Sequence, residues 1–313
     1  MAAPPVRVPR ALSVVVVANL VVQVGIVVTG GWVRLTGSGL GCPTWPECVP
    51  GSYTPVTDQA EGLQAAIEFG NRLLTFVVAA VAIALVVLLW RSRRRLLGYG
   101  LAVLLGTLLQ AVIGGITVLL GLHPATVAVH FLVSAVLIAV SSVLLVRVRE
   151  PDGPAVPVVA RPLRLLLVGL VLVGAATLVL GTVVTGSGPH SGDAEVPIRF
   201  DLDFAAVSVL HAEAVVLFIG LLLGLLAGLH AVGAPRTAVS RTWLLLGVTL
   251  AQGGLGWLQY FTGLPRALVS LHMLGACLLV VALTAAVMAA RARTEPGSTS
   301  VPRRSPAGEL VGS

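Results

Sequence analysis

Eight windows of about twenty apolar residues constrain this chain more than any other feature. They fall at roughly 11–35, 66–90, 96–120, 125–147, 163–185, 205–230, 242–262 and 266–290. In hydrocarbon a backbone segment must satisfy its polar groups internally, so each window is expected as a helix. The predicted fold class is an all-α integral membrane protein with eight transmembrane helices. Composition agrees: 57% of the 313 residues are hydrophobic and 11% charged, whereas soluble domains carry about 25% charged residues. The net charge of +7 comes without the aromatic interleaving of a nucleic-acid face, and no nucleic-acid partner is expected. The first window follows Arg7 and Arg10 and runs to about Val33. That is longer than the ~7–15 apolar residues of a signal peptide, so it reads as a span.

Arginines sort the connections. Basic clusters occupy 91–95, 147–164 and 236–241, and both ends are basic, with Arg7 and Arg10 before the first span and Arg291, Arg293, Arg303 and Arg304 after the last. The positive-inside rule then puts both termini in the cytoplasm of a multi-pass plasma-membrane protein. The connections at 36–65, 121–124, 186–204 and 263–265 face outward. Residues 291–313, rich in Ser, Pro, Gly and Arg, read as a disordered tail.

The chain also repeats. One constant offset carries Gln110, Gly114, Gly121 and His130 onto Gln252, Gly256, Gly263 and His272. Thr36-Gly37-Ser38-Gly39 matches Thr185-Gly186-Ser187-Gly188, and Asn71 falls opposite His211. The expectation is two pseudo-symmetric four-helix bundles, residues 1–150 and 151–290. Gly220, Gly224 and Gly228 form a small-residue ridge suited to helix packing.

Polar residues inside apolar runs are the candidate site. Asn71, His130, His211 and His272 each lie one to two turns into spans that enter from outside, at similar depth. His211 and His272, on facing helices, suit bis-imidazole ligation of a haem iron. Neither a Glu-x-x-His motif nor a cysteine pair at those positions completes a zinc or di-iron site. For one such histidine alone, an interhelical hydrogen bond is the simpler reading; the matched set favours haem. The first half differs, with Asn71 facing His130 and a carboxylate, Glu68, three residues before Asn71 on the same helical face. The second half thus reads as holding a haem permanently, and the first as holding a similar molecule loosely and acting on it. Glu68 and Arg72 also have ion-pair spacing. Arg34, Arg72 and Arg266 lie near the outer boundary, where each could bind a haem propionate or snorkel to headgroups. His190 reads as solvated, His230 lies at the cytoplasmic end, and His123 sits in an outer turn. Cys42 and Cys48 bracket a short loop with two prolines on the oxidising side. A disulfide staple and a redox-active relay both remain open there. Cys277 reads as a core residue.

Taken together, these features resemble the haem A synthases of bacterial and mitochondrial membranes. The resemblance rests on the two pseudo-equivalent halves and on Gly39-Leu40-Gly41-Cys42-Pro43-Thr44-Trp45-Pro46-Glu47-Cys48. It rests also on the Glu68, Asn71, Arg72 opening of the second span and on His130, His211 and His272. It implies oxidation of the C8 methyl of haem O to a formyl group, by successive hydroxylations, to make haem A for cytochrome oxidase. It implies haem b on His211 and His272, substrate haem on His130 near Asn71 and Arg72, and Glu68 as the catalytic carboxylate. Haem O synthase and an electron acceptor such as a quinone are the implied partners, and a homo-oligomer is left open. Where the family usually has a histidine, this chain has Asn71; either the substrate iron is ligated from one side by His130, or His123 or water supplies the second ligand. A dihaem electron-transfer subunit and a haem-delivery protein are the alternatives.

Overall fold

The computed structural model describes residues 7–193 and 197–294. Eight long helices dominate it: α1 (Arg10–Leu35), α2 (Gly62–Ser92), α3 (Leu97–Leu119), α4 (Pro124–Arg147), α5 (Arg161–Ser187), α6 (Phe204–Ala231), α7 (Arg236–Phe261) and α8 (Arg266–Ala289). All but α7 are long and apolar enough to cross a membrane, which fits a multi-pass membrane protein. Although α7 is as long as its neighbours, it carries Arg236, Arg241, Gln252 and Gln259 and falls short in apolarity. Large apolar side chains such as Leu63, Phe76, Leu105, Val216 and Phe261 stand exposed along the helices, as a lipid-facing surface requires and a water-facing one rarely tolerates.

Proline marks the starts. Pro9, Pro235 and Pro265 precede α1, α7 and α8, and α4 and α5 carry proline in their first turn. At that place the missing N–H removes nothing from the helix. The α3–α4 and α7–α8 turns are the same device twice. Gly121 (φ 60°) and Leu122 (φ 58°) answer to Gly263 (φ 77°) and Leu264 (φ 59°). Leu122 N–H donates to the Thr117 carbonyl and Leu264 N–H to the Gln259 carbonyl. A left-handed leucine costs about 1–2 kcal/mol, and both turns bear that cost at the same register.

In the first half each helix packs on the next and α4 returns to α1, so α2 and α4 stand diagonally. The second half follows the same order, with a thinner closing contact between α5 and α8, so α6 and α8 stand diagonally. Contacts of α8 with α1 and α4, and of α4 with α5, join the halves. Packed apolar cores fill the end that holds the basic connections: Leu12, Val16, Leu85, Leu89 and Leu144 in one half, Leu170, Phe218, Leu222, Leu225 and Leu245 in the other. Cys277, a free thiol, is buried with Val27 and Ile138 where the halves meet. Interhelical hydrogen bonds from Asn19 to Ser141 (2.9 Å) and from Gln23 to Thr107 (3.1 Å) add polar ties in the first half.

At that same end Arg147 and Arg291 bind the Glu150 carboxylate at 2.8 and 3.1 Å. Arg291–Arg293 do not begin a disordered tail. They form strand β2, antiparallel to β1 (Ala155–Pro157) in the α4–α5 connection. Residues 295–313, the rest of the expected tail, lie outside the described residues.

Candidate functional site

With the packed cores at one end, the opposite end is left open to a cavity of about 1500 Å³. Sites for drug-sized ligands measure roughly 300–1,000 Å³, so this space suits something larger. Glu68, Asn71, Arg72, His130, His211 and His272 all line it. These six side chains therefore face one continuous space that runs across both halves, whereas Arg266, at the start of α8, does not line it.

The three imidazoles share one local arrangement. Each side chain packs against a glycine of the preceding helix. A Cβ on Gly114 would come 3.4 Å from His130 Cε1, one on Gly181 3.2 Å from His211 Cε1, and one on Gly256 3.2 Å from His272 Cε1. Asn71 stands over Gly30 in the same manner, 3.7 Å from Nδ2. In two of the four places a glutamine holds the backbone behind the ring. Gln110 Nε2 donates to the His130 carbonyl at 2.8 Å, and Gln252 Nε2 to the His272 carbonyl at 2.7 Å. The Nδ1 atoms of His130, His211 and His272 are buried without a hydrogen-bond partner. Buried polar atoms are normally satisfied, so three orphaned imidazoles on one cavity fit a resident group that binds nitrogen. Among the described residues no three His, Cys, Asp or Glu side chains gather at one point. His211 and His272 line the space from diagonal helices, and His130 lines it from α4, diagonal to Asn71; imidazoles set apart around a large apolar space fit a planar macrocycle better than a bare ion.

At the mouth of α2 the geometry is denser. Glu68, 5% exposed, accepts the Cys42 N–H at Oε2 (2.7 Å). At Oε1 it takes Arg72 Nη2 at 2.6 Å and Nε at 3.1 Å. The rest of the Arg72 guanidinium is committed to the loop, donating to the carbonyls of Cys42 (2.8 Å), Thr44 (3.0 Å) and Glu47 (3.2 Å). The ion pair that the i, i+4 spacing suggested is present, whereas the bonds from Arg72 to the loop carbonyls were invisible at the level of spacing, which otherwise offered a propionate or a headgroup. Cys42 and Cys48 form a disulfide, both fully buried. The loop rests directly on α2, since a Cβ on Gly41 would lie 2.3 Å from the Gln64 carbonyl oxygen. Trp45 reaches across to cover Gly115 of α3, and with Pro46 and Tyr53 it roofs the cavity. The carboxylate, the cation and the disulfide are thus one connected unit over the first half.

Arg34 is similarly engaged, donating to the carbonyls of His190 (2.7 Å) and Thr185 (3.0 Å). His190 is not solvated: half-buried, it contacts the Leu264 carbonyl through Nε2 at 3.0 Å. His123 caps α4, accepting the Ala125 N–H at Nδ1 (3.3 Å), and it does not line the cavity. His230 contacts its own helix at the Leu226 carbonyl, 2.8 Å away, at the packed end. Sequence reasoning missed Thr29, whose hydroxyl donates to Asn71 Oδ1 at 2.8 Å, and Trp45 as a roof. The loop motif contained Trp45, but nothing in it said which helix the indole would cover.

Comparison with known proteins meets this geometry from another side. The cytochrome oxidase assembly protein model COX15-CtaA matches residues 13–191. The heme A synthase of Methylobacterium radiotolerans is 32% identical over an alignment covering 88% of each chain. That of Symbiobacterium thermophilum is 31% identical, covering 57% of this chain and 60% of its own. That of Lysinibacillus sphaericus is 35% identical over 46% of this chain and 47% of its own. In the latter match, as in that to the Bacillus pumilus protein, the chain spans about half the relative's length.

Proposed function

The chain belongs to the cytochrome oxidase assembly protein family COX15-CtaA, and from that premise we propose that it is a haem A synthase. It oxidises the C8 methyl of haem O, by successive hydroxylations, to the formyl group of haem A. The observation that carries this reading is the asymmetry of one cavity. Diagonal histidines, His211 and His272, line its second half, whereas His130, Asn71 and an anchored carboxylate line its first.

In this reading His211 and His272 would hold haem b, which would supply one-electron chemistry there, with an acceptor such as a quinone as the partner for the electrons. His130 is the axial ligand of the substrate haem. The roof of Trp45 and Pro46 keeps bulk water from the substrate. Glu68 is the catalytic residue. Each hydroxylation takes an oxygen from water and releases protons and electrons, and the resulting gem-diol loses water to give the aldehyde. A carboxylate at that place accepts the protons and stabilises positive charge developing on the ring. Each carboxylate oxygen has two acceptor positions, so the bonds from Cys42 and Arg72 hold Glu68 in place without exhausting it. Arg72 positions both the carboxylate and the disulfide loop. The buried Cys42–Cys48 bridge acts first as the staple of that unit.

The topology follows from the same reading. All eight helices span the plasma membrane, α7 included, as the partner of α6 and α8 along the second half. Both termini are cytoplasmic, the two halves are pseudo-symmetric, and the haem sites lie near the outer face. The experiment is co-expression with a haem O source, purification in detergent, and mass analysis of the extracted haems. Haem A together with haem b is the expected result. Haem O and haem b with no haem A would reject the synthase reading.

A further inference from the structure

Asn71 is the one position of the four that breaks the pattern of imidazoles, and its surroundings say what replaces a ligand there. A carboxamide has one acceptor oxygen and an NH₂ with two donor hydrogens. The oxygen is taken: the Thr29 hydroxyl donates to Asn71 Oδ1 at 2.8 Å. The same hydroxyl lies 3.3 Å from the Ile26 carbonyl of its own helix, and the shorter contact to Asn71 leaves the Nδ2 end of the amide toward Gly30. The Nδ2 group makes no hydrogen bond among the described residues, and the side chain lines the cavity that also holds His130. Gly30 lies beneath it, with an imagined Cβ 3.7 Å from Nδ2, ordinary van der Waals contact. Nothing in the packing therefore forces the amide aside. His211, at the repeat-equivalent place, offers a nitrogen lone pair; Asn71 offers an N–H.

We propose that Asn71 is a hydrogen-bond donor to a small ligand on the substrate iron, not an iron ligand itself, with Thr29 setting its orientation. The proposal rests on the reading of the first half as a haem-substrate site. The substrate iron takes one protein ligand, from His130, and its other axial position stays open to an exchangeable molecule such as water or hydroxide. That molecule accepts the Asn71 N–H. The two haems then differ in kind: the one on His211 and His272 is closed to added ligands, and the one on His130 is open.

Carbon monoxide is the probe. Purified protein carrying both haems is reduced and exposed to it, and the C–O stretching band is recorded by infrared spectroscopy. One haem of the two is expected to bind carbon monoxide. Asn71→Leu should move the band to higher frequency, because a donor to the bound ligand is lost, and Thr29→Val should move it less in the same direction. Asn71→His should abolish carbon monoxide binding and turn the substrate haem low-spin. The spectrum of the haem on His211 and His272 reports folding in every variant. A substrate haem that refuses carbon monoxide in the unaltered protein, or a band unmoved by Asn71→Leu, overturns the proposal and leaves the synthase reading intact. Protein that never takes up a second haem removes the synthase reading, and the proposal with it.

Discussion

The two halves of this molecule start from one plan and diverge at the mouth of a single helix. α2 and α6 are both diagonal to a histidine-bearing helix, and both enter one cavity from the same end. At α6 the plan is kept simply, with His211 packed on Gly181 and a 16-residue connection (188–203) ahead of it, against 26 residues (36–61) ahead of α2. At α2 the imidazole is replaced by Asn71. One turn earlier Glu68 is fastened through Arg72 to a disulfide loop that has no counterpart in the second half. The difference teaches that tight cofactor binding and reaction on a like molecule need opposite things. In the proposed function the second half supplies two lone pairs and close packing, and the first supplies a held carboxylate, a roof and, by the further inference, an unfilled coordination position.

The comparison breaks most sharply at Glu68. Glu68→Ala is expected to abolish haem A while leaving the spectrum of the haem on His211 and His272 unchanged, as read by haem extraction beside optical spectra. Next in size, His211→Ala or His272→Ala should remove that spectrum altogether and stop turnover. An undiminished spectrum would move the cofactor out of the second half. Arg72→Leu strands a buried carboxylate and frees three loop carbonyls. Breaking such a pair costs about 3–5 kcal/mol, seen as faster proteolysis between residues 41 and 60 and a lower unfolding temperature in detergent. The glycines give the finest gradation. Alanine at Gly181 or Gly256 must push an imidazole by a few tenths of an ångström and should shift the cofactor spectrum. Alanine at Gly114 should do less to the substrate haem, and alanine at Gly30, in ordinary contact with Asn71, should do least. Equal effects at all four would mean that the rings are not held by these contacts.

Much of the framework was legible because lipid makes the rules strict. The helix positions followed from apolar length, and the internal repeat followed from polar residues at constant spacing. The glutamines, glycines and Gly-Leu turns of that repeat all recur as equivalent contacts. What stayed hidden was tertiary. An i, i+4 spacing of Glu68 and Arg72 reads the same whether the arginine faces lipid, a propionate or a loop, and only the loop's return onto α2 decides it. Thr29 carries no signal in the sequence, because its contact with Asn71 depends on how α1 packs on α2. His190 looked solvated because its partner, the Leu264 carbonyl, lies in the distant α7–α8 turn. The strand pair between residues 155–157 and 291–293 carries no signal in so few residues.

The central claim is that the first half reacts and the second half holds. Its most direct test is the haem composition of the Glu68→Gln protein, which keeps the shape of the side chain and an acceptor for the Cys42 N–H. Haem b at the level of the unaltered protein, haem O retained and haem A absent are the expected results. Haem A at the unaltered level, or loss of haem b with haem A still formed, would contradict it.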